Sequence, residues 1–375
     1  MKELQEIIET LKRLEKSSQP AATATLVKVE GSAYRQPGAR MLITDEEEVI
    51  GAISGGCLER DIWERAQLVI RDSKSQLVKY DTTSEEDILW GLGLGCQGVA
   101  HVLIEPLHSL NSLSFSLIEQ CFQERTWGAI ATIFRVEGKL EVNTDDRLLL
   151  GAETIINHIS DEELATKIFN DTSTALQQKC SLVKTYQHTK GTVEVFIEII
   201  EPPISLIVFG AGYDTLPLVS FAKQLGWQVT VVDSRQREAT KARLALADFV
   251  WLDSAEQIVE KLTIDSRQAV VIMNHNYLND LEVLKVLANF QLPYLGILGP
   301  KKRTARLIDE LTEAQVTLAA QQQSCFYSPV GLDIGANTCQ EVALSIIAEI
   351  QTVMSGCQGE FLRNRNGSIH GRNEQ

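Results

Sequence analysis

The sequence runs to 375 residues, too long for one ordinary core, so at least two domains are expected. Its net charge of −15 repels phosphate backbones, and the short basic run Lys301-Lys302-Arg303 does not reverse that, so nucleic acid is set aside as a partner. Seven cysteines without a CxxC pair argue against a disulfide framework and for a reducing, cytoplasmic setting, and no apolar stretch is long enough to predict a membrane span.

The N-terminal segment MKELQEIIETLKRLEKSS predicts a charged amphipathic helix rather than a signal peptide. ATATLVKVEG predicts a strand, and MLIT and VIGAIS a hairpin about the acidic turn at Asp45. A helix is expected from about Cys57 to Arg71, followed by the strand QLVKYDT, the glycine-rich WGLGLGCQG and the strand VAHVLIEP. These form an α+β core over about 20–106. Residues 107–200 carry a helix and further strand-like runs that extend the same sheet, giving a first domain over 1–200. No internal repeat is evident. Glu201-Pro202-Pro203 is the linker. From 203 to 357 continuous apolar strands alternate with helices, the pattern of a parallel sheet covered on both faces. The polar tail 358–375 is expected to be disordered. The fold class is therefore α/β: an N-terminal α+β domain followed by a Rossmann-like, doubly wound parallel-sheet domain.

Four constellations stand out. In LIVFGAGYDTLPL, Gly210 and Gly212 sit between a strand and a helix, where a dinucleotide fold lets backbone amides approach phosphate. Asp233 ends the next strand at the place of a ribose-binding acid. Thr215 takes the third glycine position, so a tight turn that simply needs glycine is the competing reading. His275 follows the strand AVVIMN at a sheet edge where ligands gather, with Asp280 placed to orient it. Lys301 to Arg303 and the loop around Asp333 are further polar candidates near that edge.

In ISGGCLERDI, Gly55 and Gly56 permit a backbone path closed to other residues. Cys57 then falls near the first helical turn, where unpaired amides favour thiolate and the acids Glu59, Asp61 and Glu64 oppose it. Cys96 has similar surroundings in GLGCQG. The two thiols read either as a shared ligand and metal-contact site or as small residues in tight turns. Arg35 and Arg40, in the loop between, read as a grip for phosphate or carboxylate or as solvated surface residues.

GSAYRQPGARMLI, GAISGGCLE, GLGCQG, FGAGYDTLPL, the segment from His275 to Asp280, and PVGLDIGANTCQEVALSIIAEI together resemble the xanthine dehydrogenase accessory factor (XdhC/CoxI) family over nearly the whole chain. The resemblance implies a cytoplasmic accessory protein rather than the dehydrogenase itself. Such a protein binds molybdenum cofactor (molybdopterin), protects it while a cysteine desulfurase supplies its terminal sulfur, and inserts it into a xanthine dehydrogenase-type apoenzyme. Cys57, Cys96, Gly210, Gly212 and Asp214 fall on the family's motifs. Tyr34, Gln97 and Asn274 depart from them. By analogy with carriers that shield their cargo, a homodimer is expected. The competing function is an NAD(P)- or FAD-dependent oxidoreductase built on the Rossmann-like domain.

Overall fold

The computed structural model describes the whole chain except residues 18, 47, 82–97, 108, 236–238, 260, 262–263, 317–323 and 367–375. The chain divides into two compact units, one built on Glu3–Pro202 and the other on Pro203–Arg365.

The N-terminal unit opens with α1 (Lys2–Ser17), whose Ile7, Ile8, Leu11 and Leu14 recur at helical spacing and are buried. Next come β1 (Ala21–Gly31), β2 (Arg40–Thr44), β3 (Val49–Gly51), α2 (Glu59–Asp72), β4 (Gln76–Asp81) and β5 (Gly98–Pro106). They build an antiparallel sheet ordered β3-β2-β1-β5-β4. The chain then continues through α3 (Ser109–Glu124), β6 (Gly128–Gly138), β7 (Arg147–Leu150), β8 (Ile155–Asn157), α4 (Glu162–Gln178), β9 (Leu182–His188) and β10 (Gly191–Ile200). These strands do not extend the first sheet, as the sequence suggested. They form a second sheet, ordered β8-β7-β6-β10-β9.

The two sheets are the same structure twice, which overturns the reading that the sequence holds no repeat. β1 and β6 have the same length and the same run of burial, seven buried residues followed by a solvent-facing end. ATLVKVEG in β1 corresponds to ATIFRVEG in β6. Each is bulged at the equivalent residue, Val27 in one and Phe134 in the other. Gly38 and Asp145 hold equivalent turns with φ of +98° and +89°. Their amides donate to Leu26 and Ile133 respectively, at 2.8 and 2.7 Å.

The halves share their interior. One cluster joins Ile7, Leu11 and Leu42 to Ile118, Ile130 and Leu149, and a second joins Val27 and Leu103 to Phe134 and Phe196. Two buried ion pairs cross between the sheets reciprocally. Arg40 of the first repeat pairs with Glu198 of the second, and Arg147 of the second pairs with Glu105 of the first at 2.7 Å.

The C-terminal unit contains β11 (Ser205–Phe209), α5 (Thr215–Gln224), β12 (Gln228–Val232), α6 (Ala239–Arg243), β13 (Phe249–Trp251), α7 (Ala255–Val259) and β14 (Gln268–Ile272). It continues with α8 (Tyr277–Leu287), β15 (Tyr294–Ile297), α9 (Lys301–Glu313), β16 (Phe326–Tyr327) and α10 (Cys339–Met354). The strands are all parallel, in the order β13-β12-β11-β14-β15-β16. This is the Rossmann-like doubly wound arrangement expected. β11 and β14 are buried along their whole length because both faces are covered. Leu206, Val208 and Val271 pack under α5 and α10, while Ile207, Val270 and Ile272 pack under α8 and α9. The strand order reverses between β11 and β14, so their carboxyl ends flank the crevice where ligands of such sheets bind. The expected tail begins with a single 3-10 turn at Leu362–Asn364. Residues 367–375 lie outside the described part.

Candidate functional site

Chemistry-bearing residues gather in one place in each unit. In the N-terminal unit it is the β3–α2 loop. The sequence suggests that the loop amides serve the Cys57 thiol, with Glu59 working against it. The structure gives the amides to Glu59 instead. One oxygen of its carboxylate accepts from the backbone N–H groups of Ile53 (3.0 Å), Ser54 (2.7 Å) and Gly55 (3.0 Å). The other accepts from Gly56 (2.8 Å), Leu58 (3.1 Å) and the Ser54 hydroxyl (2.6 Å). Partial burial pushes this carboxyl up, but the bonds from Ser54 and the loop amides outweigh it and hold the group down at about 2. Gly55 and Gly56, at φ of +82° and +124°, make the winding possible. A Cβ on Gly55 would come 2.8 Å from the Tyr34 ring, so glycine also makes room for that ring.

The wound loop leaves Cys57 exposed to solvent. Its amide is held by the Ser54 Oγ at 3.0 Å, so the thiol is presented on a fixed backbone. A small cavity opens beside it, lined by Leu26, Tyr34, Ile53, Ser54, Cys57 and Ala100 among others. The cavity thus combines a soft sulfur donor, hydroxyls and a mainly apolar wall. Cys96, the second thiol of the expected site, lies outside the described residues.

The expected arginine grip is not assembled at this cavity. Arg35 is bidentate to Glu3, at 3.0 and 2.6 Å. Arg40 is the buried partner of Glu198 and belongs to the contact between the sheets. Neither lines the Cys57 cavity. Among the described residues, no group of three or more His, Cys, Asp or Glu is arranged to hold a metal ion.

The repeat indicates which loops are special. The β4–β5 connection spans residues 82–97, whereas its counterpart between β9 and β10 is only Thr189 and Lys190. The Gly-Gly-Cys loop corresponds to a plain helix start in the second repeat, where the Asp161 side chain accepts from the Leu164 amide at 2.9 Å. One scaffold, used twice, carries the longer β4–β5 connection and the Gly-Gly-Cys loop in its first copy. Loops on a rigid scaffold are where function concentrates.

In the C-terminal unit the candidate site is the crevice between β11 and β14. Gly210 has φ of +125°, and a Cβ there would come 2.4 Å from the Met273 carbonyl oxygen, so only glycine fits. The Thr215 hydroxyl, at the position of the missing third glycine, donates to the Gly210 carbonyl at 2.9 Å and ties the turn to α5. The amides of Ala211, Gly212, Tyr213 and Asp214 have no acceptor among the described residues. They precede a helix N-terminus at a sheet switch point, where sheets of this kind approach a nucleotide's phosphates, and the Asp214 carboxylate lies over Gly212 there.

His275 stands across this crevice with φ of +56°, and its Nε2 lies 2.6 Å from Asp214 Oδ2. Its expected partner was Asp280. That carboxylate is instead fully buried, where it accepts from Asn274 at 3.0 Å and pairs with Arg303 at 2.6 Å. Arg303 is therefore a structural cation, while Lys301, Lys302 and Asp333 are exposed. Asp233 is also differently employed. It accepts from Arg235 Nε and from the Thr240 hydroxyl, each at 2.8 Å, and is 2% exposed. Burial works to raise this carboxyl, but those hydrogen bonds prevail and keep it below the ordinary aspartate range. A cavity at the carboxyl ends of the strands is lined by Ser234, Ser254, Asn274, Asn279 and Glu282 together with the apolar Phe209 and Val232. Sequence reasoning missed Arg235 and Arg243. Their signal was position alone, just after the strand that Asp233 ends.

Comparison with known proteins agrees with this architecture. Residues 206–350 match the XdhC Rossmann domain, and residues 14–81 match the XdhC and CoxI family. A Bacillus subtilis protein, named as a probable subunit of xanthine dehydrogenase, is 32% identical over 91% of this chain and 95% of its own. The chain belongs to the XdhC and CoxI family. Another relative of this XdhC protein is the molybdenum cofactor insertion chaperone PaoD of Escherichia coli, 21% identical over 90% of this chain and 84% of its own. A Bacillus halodurans crystal structure, described as a xanthine dehydrogenase, matches with a TM-score of 0.74. Its identity is 29%, over 94% of the XdhC chain and 96% of that one.

Proposed function

We propose that this XdhC protein is an accessory factor that carries molybdenum cofactor and assists its insertion into a xanthine dehydrogenase-type apoenzyme. The observation that carries the reading is an exposed thiol on a loop wound around Glu59, beside an apolar cavity, in a chain similar along nearly its whole length to an insertion chaperone. The cofactor is cargo. Its metal-bearing end would meet the soft sulfur of Cys57, and its flat ring system the wall formed by Tyr34, Ile53 and Leu26. In this reading the cargo's terminal sulfur comes from a cysteine desulfurase while the carrier holds it.

The test is anaerobic loading with isolated cofactor, with molybdenum and pterin counted per chain, followed by transfer to apoenzyme. Wild type is expected to retain about one cofactor per chain, and Cys57→Ala at least tenfold less. Equal retention would remove the thiol from the reading, and no retention by wild type would remove the carrier role.

A second reading is favoured by the C-terminal crevice: the unit binds a nucleotide over the Gly210 turn. The close approach of Gly210 to Met273 and the four amides after it support this. It is compatible with the carrier role. With Thr215 in the third glycine position, it does not by itself require hydride chemistry.

A further inference from the structure

We infer that the nucleotide site of the C-terminal unit selects a ligand bearing a phosphate at its ribose 2′ position, the class of NADP, over the unphosphorylated NAD. The inference rests on the second reading above and concerns what the end of β12 can recognise.

A site for NAD ends this strand with a carboxylate whose oxygens are open to the two ribose hydroxyls. Asp233 stands at that position, but its oxygens are spoken for. Oδ1 takes the Arg235 Nε at 2.8 Å and the Arg235 amide at 3.2 Å, and Oδ2 takes Thr240 at 2.8 Å. With 2% exposure, it presents no free acceptor to a ligand. Beside it, among the described residues, stands a solvent-facing cation. The Arg235 side chain is 46% exposed, and its Nη2 reaches back to the Ala211 carbonyl in the glycine turn at 3.4 Å. Arg243 donates to the same carbonyl from α6.

Two guanidinium groups thus converge on one neutral carbonyl at the rim of the phosphate cradle. A carbonyl oxygen carries only a partial charge, whereas a phosphate offers full charge and three acceptors. Arginine's planar fork matches that geometry. The Arg243 guanidinium also lies 5.1 Å from the centre of the Tyr213 ring, which is 76% exposed. Ring and cation together give a face on which an adenine can stack. The cavity lined by Ser234, Asn279 and Glu282 begins one residue before Arg235 in the chain and would take the ribose end. A ligand with a 2′-phosphate would satisfy both arginines without disturbing Asp233, whereas NAD would need Arg235 and Thr240 displaced from that carboxylate first.

The experiment is calorimetric titration of the full chain with NADP, NAD and adenosine 2′-monophosphate, in wild type and Arg235→Ala. Wild type is expected to bind NADP about 10- to 100-fold more tightly than NAD, the range of one charge-assisted hydrogen bond. Arg235→Ala is expected to lose most of that preference. It should also gain NAD affinity, because Oδ1 of Asp233 then keeps only the Arg235 backbone amide at 3.2 Å and has capacity left to accept a hydroxyl. A gain of NAD binding cannot come from a variant that fails to fold. Wild type that binds both dinucleotides equally, or prefers NAD, overturns the 2′-phosphate inference and leaves the nucleotide reading standing. Wild type that binds none of the three at millimolar concentration overturns both.

Discussion

Glu59 shows how one side chain can fix a functional loop. Six donors converge on its carboxylate, five of them backbone amides of residues 53–58. Its carboxyl is held at about 2, below an ordinary value of 4.5. A depressed carboxyl contributes its stability above the unfolded value and loses it as the pH falls toward the folded one. The loop should therefore keep its shape down to about pH 4.5 and loosen progressively between there and about pH 2. At neutral pH the same loss is expected from Glu59→Gln, which removes the charge while keeping the size. It should lower unfolding stability by about 1–3 kcal/mol. It should also change the rate at which a thiol reagent labels Cys57 by severalfold. A urea midpoint and a labelling rate both equal to wild type would show that Glu59 does not organise the loop. Residue-scale roles were the least legible part of the sequence. Gly55, Gly56, Cys57 and Glu59 were all visible as a cluster, but which group takes the amides depends on how the chain doubles back. The same holds for His275, whose partner Asp214 comes from 61 positions away rather than from the nearby Asp280.

At the scale of elements, the N-terminal unit is governed by its duplication. Arg40 and Arg147 sit at equivalent positions of β2 and β7, and Glu105 and Glu198 at equivalent positions of β5 and β10. Each arginine reaches the glutamate of the other repeat, so the pairs lock the two sheets in mutual register. Glu105 is 1% exposed and Arg147 5%. Removing one partner leaves a buried charge unanswered. Arg147→Met is therefore expected to cost about 3–5 kcal/mol, while the double variant Arg147→Met with Glu105→Leu should recover most of it. Urea unfolding of the two singles and the double gives the coupling directly. Strictly additive losses would show that the charges act independently. The repeat escaped the sequence because little of it survives in letters beyond ATLVKVEG and ATIFRVEG. The helices α2 and α4 have different polar faces, and the loops differ in length wherever the first copy was elaborated. Strand order and bulge position are kept because both are set by packing, which tolerates many sequences.

For the whole molecule, the deciding question is which pieces own a complete core. The C-terminal unit was legible because strands buried on both faces, such as LIVF and AVVIM, leave no polar alternation and demand helices on either side. Its two clusters, one under α5 and α10 and the other under α8 and α9, draw all their residues from 204–354. The N-terminal unit divides differently. Its two sheets look like separable modules, yet the cluster with Ile7, Leu11 and Leu42 is completed only by Ile118, Ile130 and Leu149 of the second repeat. Val27 and Leu103 likewise depend on Phe134 and Phe196. Expressed alone, residues 203–365 should thus give a cooperative thermal transition and keep whatever nucleotide affinity the full chain has. Residues 1–106 alone should not fold, because they would expose one side of two shared clusters and leave Arg40 and Glu105 without their partners. Mixing 1–106 with 107–202 should restore a folded complex if the interface between the repeats holds the unit together. Circular dichroism melts of each fragment and of the mixture decide it: a cooperative melt from 1–106 alone would mean that the first repeat is self-sufficient, and that the buried pairs are incidental to its folding.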